Sequence, residues 1–389
     1  MTFPEKPQAL PARAEFSSGP CPNRPGWSLT AVAEKAWLGR SHRASGPKAQ
    51  LKQVIDLTAT LLGVPEGYKV GIVPASDTGA FEMAMWSMLG ARPVDMLAWE
   101  SFGAGWATDA TKQLKLDDCR VITAEYGVLP DFAQVRTADA DICFTQNGTT
   151  SGAKIPNFDW IPDDRAGLTF VDATSAAFAQ DIEWEKLDVV TYSWQKILGG
   201  EAAHGMLILS PNAVKRLESY TPDRPLPKIF RMTKGGKLNE DLFQGATINT
   251  PSMLCVEDYL QALDWCESLG GWKALKGRSD ESLGILADWV AKTDWVDFLC
   301  PDAGVRSNTG VTFKIVDPRV AGLDEAGQRA FVKAMMKRLE TEKACFDAAG
   351  YAKAPPGLRI WCGGTVEPSD VAKLTPWLDW AFAEEAAAI

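Results

Sequence analysis

Two residues far apart in the chain carry the strongest chemical signal. Lys196 follows the apolar, β-branched run Leu187 to Tyr192 in the stretch DVVTYSWQKILGGEAAHG, with Gly199, Gly200 and Gly205 close behind. That run predicts a short buried strand. An ammonium at the end of such a strand, beside a glycine-rich turn, loses water, and burial lowers the pKa of a lysine. A neutral amine attacks an aldehyde to give a Schiff base. Taken alone, the lysine reads more simply as a side chain snorkelling out of a loop. Asp172 changes that. It ends another apolar run, GLTFVD, and is followed by Ala173, Thr174 and Ser175. An acid there is either a turn cap satisfied by its own backbone or a buried anion in need of a cation. A protonated pyridine nitrogen is such a cation. Together Lys196, for an aldehyde, and Asp172, for a pyridinium, outline a pyridoxal 5'-phosphate site.

The phosphate of such a cofactor needs a cradle. KVGIVP, Lys69 to Pro74, predicts a strand, and ASDTGAFEMAMWSML, Ala75 to Leu89, a helix. Ser76, Asp77 or Thr78 can cap that helix, whose first free N–H groups favour an anion in front of them. An ordinary N-cap is the competing reading. Asp77 would have to meet a phosphate with its backbone N–H, because its charge is of the wrong sign. Trp106, near the start of the helical stretch SFGAGWATDATKQL, can stack on a flat ring. A buried core tryptophan competes, in a chain that has fifteen. The loop QNGTTSGAKIPN, Gln146 to Asn157, leaves the strand Ala140 to Thr145 with hydroxyls at Thr149 and Thr150, at the sheet edge where open α/β folds bind ligands. His42 and Arg43 precede a helix over about 47–62, where they attract an anion or simply decorate the surface.

Strands alternate with helices from about 69 to 210, a rhythm that predicts an α/β protein with a mostly parallel sheet and helices on both faces. A basic loop follows, with Arg224, Lys228, Arg231, Lys234 and Lys237. Asn249-Thr250-Pro251 is expected to cap the long helix that Phe243 to Leu263 enters. The pattern then changes. A helix (about 272–292), a strand within Arg306 to Asp317, a helix (about 324–348), a strand in LRIWCGG and a last helix (about 368–385) predict a smaller C-terminal α/β domain. The expected division is an arm and loop over residues 1–30, a large cofactor-binding domain over 31–264, and a small domain over 265–389.

The 389 residues, 46% hydrophobic and 23% charged, are ordinary for a globular protein with a sizeable core. A net charge of −10 argues against a nucleic-acid binder or a protein of anionic membranes. The eight cysteines lack C-x-x-C spacing and only His42 and His204 accompany them, so no metal site is expected. No apolar run reaches membrane length and the N-terminus has no apolar leader, so a cytoplasmic protein is expected.

FSSGPCPNRP, SHRASGPKAQL, Asp172 with SWQK, and TINTPS, in that order, resemble the phosphoserine aminotransferases, which belong to the class V, fold-type-I pyridoxal phosphate transferases. The resemblance spans about 16 to 385. It implies that Lys196 holds the cofactor aldehyde and shuttles a proton between the substrate Cα and the cofactor. It also implies that Asp172 pairs with the ring nitrogen, Trp106 stacks on the ring and Thr149 bonds its hydroxyl. Ser76, Asp77, Thr78 and Gln195 would hold the phosphate, joined from a second subunit by Asn249 and Thr250, which makes the active unit a homodimer with shared sites. His42 and Arg43 match binders of the substrate anion, and Arg359 matches the grip on the α-carboxylate. The implied reaction converts 3-phosphohydroxypyruvate and glutamate into phosphoserine and 2-oxoglutarate, in serine biosynthesis and for a related substrate in pyridoxine biosynthesis. Two departures stand out. Many relatives carry Gly-Gly-Arg-Gly where this chain has Ser76-Asp77-Thr78-Gly79, and Gly-His-Arg where it has Ala354-Pro355-Pro356. Arg231 and Lys228 are the expected replacements for those cations. The departures keep open a class V enzyme acting on an oxo acid without phosphate, such as glyoxylate or pyruvate. A cysteine desulfurase would need a reactive cysteine over the site, and none is marked by its surroundings. A non-catalytic binding protein on this fold would be expected to lack the lysine.

Overall fold

The apolar runs between Lys69 and Leu209 assemble, in a computed structural model that describes residues 4–389, into one seven-stranded sheet. Its strands are β1 (Lys69–Pro74), β2 (Val94–Ala98), β3 (Cys119–Thr123), β4 (Asp141–Thr145), β5 (Thr169–Asp172), β6 (Val189–Ser193) and β7 (His204–Leu209), in spatial order β1-β7-β6-β5-β4-β2-β3. Strands β3, β2, β4, β5 and β6 run parallel, while β7 is antiparallel to both its neighbours. The reason is local. The link from β6 to β7 holds no crossover helix, and so short a connection returns the chain antiparallel. Lys196 rides on that link.

Successive residues of each strand feed opposite cores. Val171, Met206 and Ile208 join one apolar cluster, and Phe170, Leu207 and Leu209 the other. Helix α1 (Leu29–Lys35) packs on α6 (Met253–Ser268), which with α2 (Ser45–Leu62) covers the first face. Helices α3 (Ser76–Met88), α4 (Ser101–Thr108) and α5 (Pro211–Ser219) cover the second. A small hairpin, β8 (Thr233–Lys234) with β9 (Lys237–Leu238), lies between α5 and α6. Beyond α6 come α7 (Trp272–Val290), β10 (Val296–Phe298), β11 (Gly310–Ile315), α8 (Pro318–Ala321), α9 (Glu325–Thr341), β12 (Leu358–Trp361) and α10 (Pro368–Ala386). Strands β10, β11 and β12 form an antiparallel three-stranded sheet.

The N-terminal arm is tied to this C-terminal part. Asp370 accepts from the amides of Ala12 and Arg13, and the Trp377 indole N–H donates to the Ala9 carbonyl at 2.9 Å. Trp361 N donates to the Phe16 carbonyl at 3.1 Å. The arm thereby delivers Ser18 and Gly19 to the mouth of the large sheet.

Several boundaries differ from the sequence expectations. The expected division at residue 265 falls inside α6, whose hydrogen-bonded turns run on to Ser268 before Gly270 and Gly271 turn the chain. Helix α6 starts at Met253 with Ser252 as its cap, so Asn249 and Thr250 sit in the loop ahead of it. Helix α9 stops at Thr341, and Lys343 with φ 56° and Asp347 with φ 59° cannot continue it. None of Ser76, Asp77 and Thr78 caps α3 with its side chain. The residue before the helix is Ala75 with φ 66°, which leaves the first N–H groups free.

Candidate active site

The carboxyl ends of β4, β5 and β6, the first turn of α3, the arm at Ser18 to Pro20 and the C-terminal residues Tyr351 and Arg359 enclose a cavity of about 330 Å³. Lys196 and Asp172 both line it. Each leaves the sheet where its strand ends, one turn beyond β6 and at the last position of β5. Parallel strands bring such residues to one edge however far apart they are in sequence.

Lys196 is 8% exposed. Its ammonium donates to the Ser18 carbonyl and lies 5.6 Å from the Trp361 ring. Burial, the largest influence, pulls its pKa below the usual lysine value, and the Arg359 guanidinium pulls the same way. The Cys21 thiol acts in the opposite sense. Gly19 is needed for this approach, since a Cβ there would lie 3.0 Å from the lysine nitrogen.

Asp172 combines both sequence readings. Its Oδ1 accepts from the Thr174 amide at 2.9 Å, a tight turn, and its Oδ2 accepts from the Trp106 indole N–H at 3.0 Å. Trp106 is held in turn by Phe81, ring centroids 4.8 Å apart, and by the N-cap of α4. That cap is Glu100, which accepts from Gly103 N at 2.8 Å and from the Thr150 hydroxyl at 2.7 Å. Burial pushes the Glu100 carboxyl up to about 7. Thr149 shares a 2.6 Å hydrogen bond with Ser175, which also receives one from Asn147.

The residues fit pyridoxal phosphate on their unsatisfied atoms. Thr145 Oγ1, Thr174 Oγ1, Ser193 Oγ, Gln195 Oε1 and Arg359 Nε are buried on the cavity wall without a hydrogen-bond partner among the described residues. Buried polar atoms are rarely left so, and together they describe a polar ligand. The uncapped start of α3, with Ser76, Asp77 and Thr78 lining the same wall, suits its phosphate. Gly205 lets that turn sit against β7, because a Cβ there would stand 2.2 Å from the Ser76 carbonyl oxygen.

Nine of the sequence-predicted residues thus meet: Ser76, Asp77, Thr78, Trp106, Thr149, Asp172, Gln195, Lys196 and Arg359. Four do not. His42 and Arg43 line a second, smaller cavity of about 180 Å³ with Lys48 and Thr247. Asn249 and Thr250 lie in the adjoining loop, where Asn249 bonds the Thr250 carbonyl at 3.2 Å. Arg231 and Lys228, expected to replace the missing cations, do not line the main cavity and are exposed, Arg231 donating to the Leu226 carbonyl at 3.0 Å. Sequence reasoning passed over Ser18, Asn147, Ser175 and Tyr351. The first three sit in the polar stretches FSSGP, QNGTT and DATS and were legible there as motif neighbours, whereas Tyr351 lies in a loop without periodicity.

No protein-family model matches the chain. It is 55% identical over 377 residues to the phosphoserine aminotransferases of Methanosarcina barkeri and Methanosarcina mazei, an overlap of 97% of this chain and 99% of each relative. Among solved structures, the fold matches a phosphoserine aminotransferase of Cytophaga hutchinsonii with TM-score 0.78 at 21% identity, covering 95% of this chain and 99% of that one. It also matches the pyridoxal-phosphate-bound phosphoserine aminotransferase of Trichomonas vaginalis with TM-score 0.76 at 18% identity, covering 94% and 99%. With the cavity and its lysine in place, the identity to the Methanosarcina proteins settles the family: this chain belongs to the phosphoserine aminotransferases, pyridoxal-phosphate-dependent transaminases.

Proposed function

We propose that the chain moves an amino group between glutamate and 3-phosphohydroxypyruvate, giving 2-oxoglutarate and phosphoserine, as a cytoplasmic enzyme of serine biosynthesis that also accepts the related phosphorylated substrate of pyridoxine biosynthesis. The observation that carries the reading is the meeting of a desolvated Lys196 and Asp172 on the wall of one cavity.

Pyridoxal phosphate, when bound, supplies the electron sink that makes the substrate Cα–H bond acidic. The chain supplies the rest. Lys196, its basicity lowered by burial, has the neutral amine that takes a proton from Cα and returns it, a contribution of about 10²–10⁴-fold for a positioned acid–base group. Asp172 holds the proton on the ring nitrogen, and Trp106 fixes the orientation of that carboxylate through its indole N–H. The free amides of the α3 turn, with Gln195, hold the cofactor phosphate, and Thr149 with Ser175 meets the ring hydroxyl. Arg359, whose Nε lacks a partner, offers its guanidinium fork to the substrate α-carboxylate. Tyr351 lies beneath that guanidinium at 5.7 Å and steadies it. The phosphate end of the substrate falls to His42 and Arg43 of a second copy, and Asn249 and Thr250 of that copy reach the cofactor phosphate.

A second reading has one observation in its favour: Lys196 and Arg359 are the cationic residues on the cavity wall of one protomer. An enzyme for glyoxylate or pyruvate would need no more. Steady-state assays with glutamate as donor separate the two. The proposed activity requires kcat/KM for phosphohydroxypyruvate at least about 100-fold above that for glyoxylate or pyruvate, since groups built to bind an anion are left unpaired by a substrate lacking it. A preference for glyoxylate overturns it.

A further inference from the structure

Three acids, Asp77, Glu100 and Asp172, are buried around the cavity, and among the described residues none of them forms an ion pair with a lysine or arginine. Glu100 is accounted for by its two donors. Asp172 has two N–H donors, from Trp106 and Thr174. Asp77 is different. It lies in the first turn of α3, yet its carboxyl faces Asp172, Thr174 and Thr191 in the floor beneath the cavity. Thr191 and Asp172 are register partners on β6 and β5, the strands that carry the lysine link and the ring-facing acid, so the Asp77 carboxyl lies over that pair. Among the described residues no well-formed hydrogen bond reaches its Oδ1 or the hydroxyls of Thr174 and Thr191, so the three groups face one another at the edge of bonding distance.

Two carboxyls facing each other in a dry site do not both ionise. The donors decide which one keeps the proton. Asp172 accepts two N–H bonds, while Asp77 faces only the hydroxyls of Thr174 and Thr191, which can accept a proton as readily as donate one. Burial first and the Asp172 charge second then drive the Asp77 carboxyl well above the carboxylate range.

We propose that Asp77 is a positioning residue that folds as the neutral acid and turns its proton toward Asp172, so that the pair presents one negative charge to the one proton on the cofactor ring nitrogen. The proposal rests on Asp172 meeting that nitrogen, as described above. It explains an acid inside a phosphate turn: the backbone N–H of Asp77 serves the phosphate, while the side chain, turned inward and uncharged, serves the opposite end of the ring.

The test uses the loaded enzyme without substrate and the apoprotein. Asp77→Ala removes the donor; cofactor affinity falls about tenfold, the scale of one hydrogen bond to a charged group, and the midpoint of the pH titration of the visible absorbance rises. Asp77→Asn keeps a neutral donor and restores both readouts to within about threefold of the unsubstituted protein. In the apoprotein, a raised acid weakens folding progressively as pH rises above its unfolded value of about 4, so the melting temperature of Asp77→Asn gains on the unsubstituted protein between about pH 5 and 8. A lowered titration midpoint in Asp77→Asn, a flat difference in apoprotein melting temperature, or an Asp77→Ala protein with unaltered cofactor affinity overturns the proposal. Asp172→Asn tells the two possible failures apart. If it leaves cofactor affinity intact, the role given to Asp172 fails and takes this one with it; if it weakens binding while Asp77→Ala does not, the role of Asp77 alone fails.

Discussion

Lys196 works against the fold that holds it. An 8%-exposed ammonium whose only hydrogen bond among the described residues is to the Ser18 carbonyl pays for desolvation without an ion pair to any of them. A base with a lowered folded pKa weakens the folded state while it is protonated in the unfolded chain, and the loss is relieved as pH rises toward the unfolded value of about 10.4. Lys196→Met should therefore abolish transamination and the yellow colour of the loaded enzyme, yet raise the apoprotein melting temperature at pH 7 by a few degrees, on the order of 1 kcal/mol. The gain should shrink as the solution is made more alkaline. Thermal melts of the two apoproteins across pH check this, and a yellow, active Lys196→Met protein would refute the assignment outright. Lys196 and Asp172 were legible in the sequence because each follows a short apolar run and precedes small residues. The inward turn of the Asp77 carboxyl was not legible, because spacing along a helix does not reveal whether a first-turn side chain caps the helix or folds beneath it.

Among the elements, the fit of α3 against β7 decides whether the phosphate turn is in place. Gly205 sits opposite the Ser76 carbonyl with room for a hydrogen and nothing larger. Gly205→Ala should push the first turn of α3 out of the cavity wall, lowering cofactor affinity more than about tenfold and stability by about 1–3 kcal/mol, the usual range for an overpacked buried site. Cofactor titration by fluorescence and a thermal melt read the two effects separately. A loss of stability with full cofactor affinity would mean that the turn does not hold the phosphate. Strand and helix periodicity predicted β1 to β7 closely, because the inner strands are apolar on both faces and each run is bounded by polar turns; only the edge strand β3 is largely exposed. It failed where tertiary contacts prevail over local preference. The cap of α6 passes to Ser252, whose amide is drawn to His204 Nε2 at 3.1 Å, a ring that burial holds neutral with a pKa near 4. Helices α1 and α5, seven and nine residues long, are too short to carry a clear period. The arm read as an extended lead, and what it does became visible only through its bonds to Asp370 and Trp377.

At the scale of the whole molecule, the positive charge that the proposed phosphorylated substrate would need is divided between two cavities of one protomer. The cavity holding Lys196 has Arg359 as its other cation, while His42, Arg43 and Lys48 gather in a separate cavity beside the loop of Thr247. The loop carrying Asn249 and Thr250 adjoins that second cavity, so the four residues that miss the main cavity form one patch. In the homodimer proposed above, such a patch would complete the site of the other copy across a two-fold axis, where what one copy lends it also receives. Complementation tests this directly. Lys196→Ala and Arg43→Ala should each be close to inactive on phosphohydroxypyruvate. After mixing, unfolding and refolding together, half of the dimers pair one variant with the other, and one of their two sites regains an intact lysine and an intact arginine. Activity should return to about a quarter of the unsubstituted level. If both residues serve the same site from one protomer, no mixed dimer contains a complete site and the refolded mixture stays as inactive as its parents.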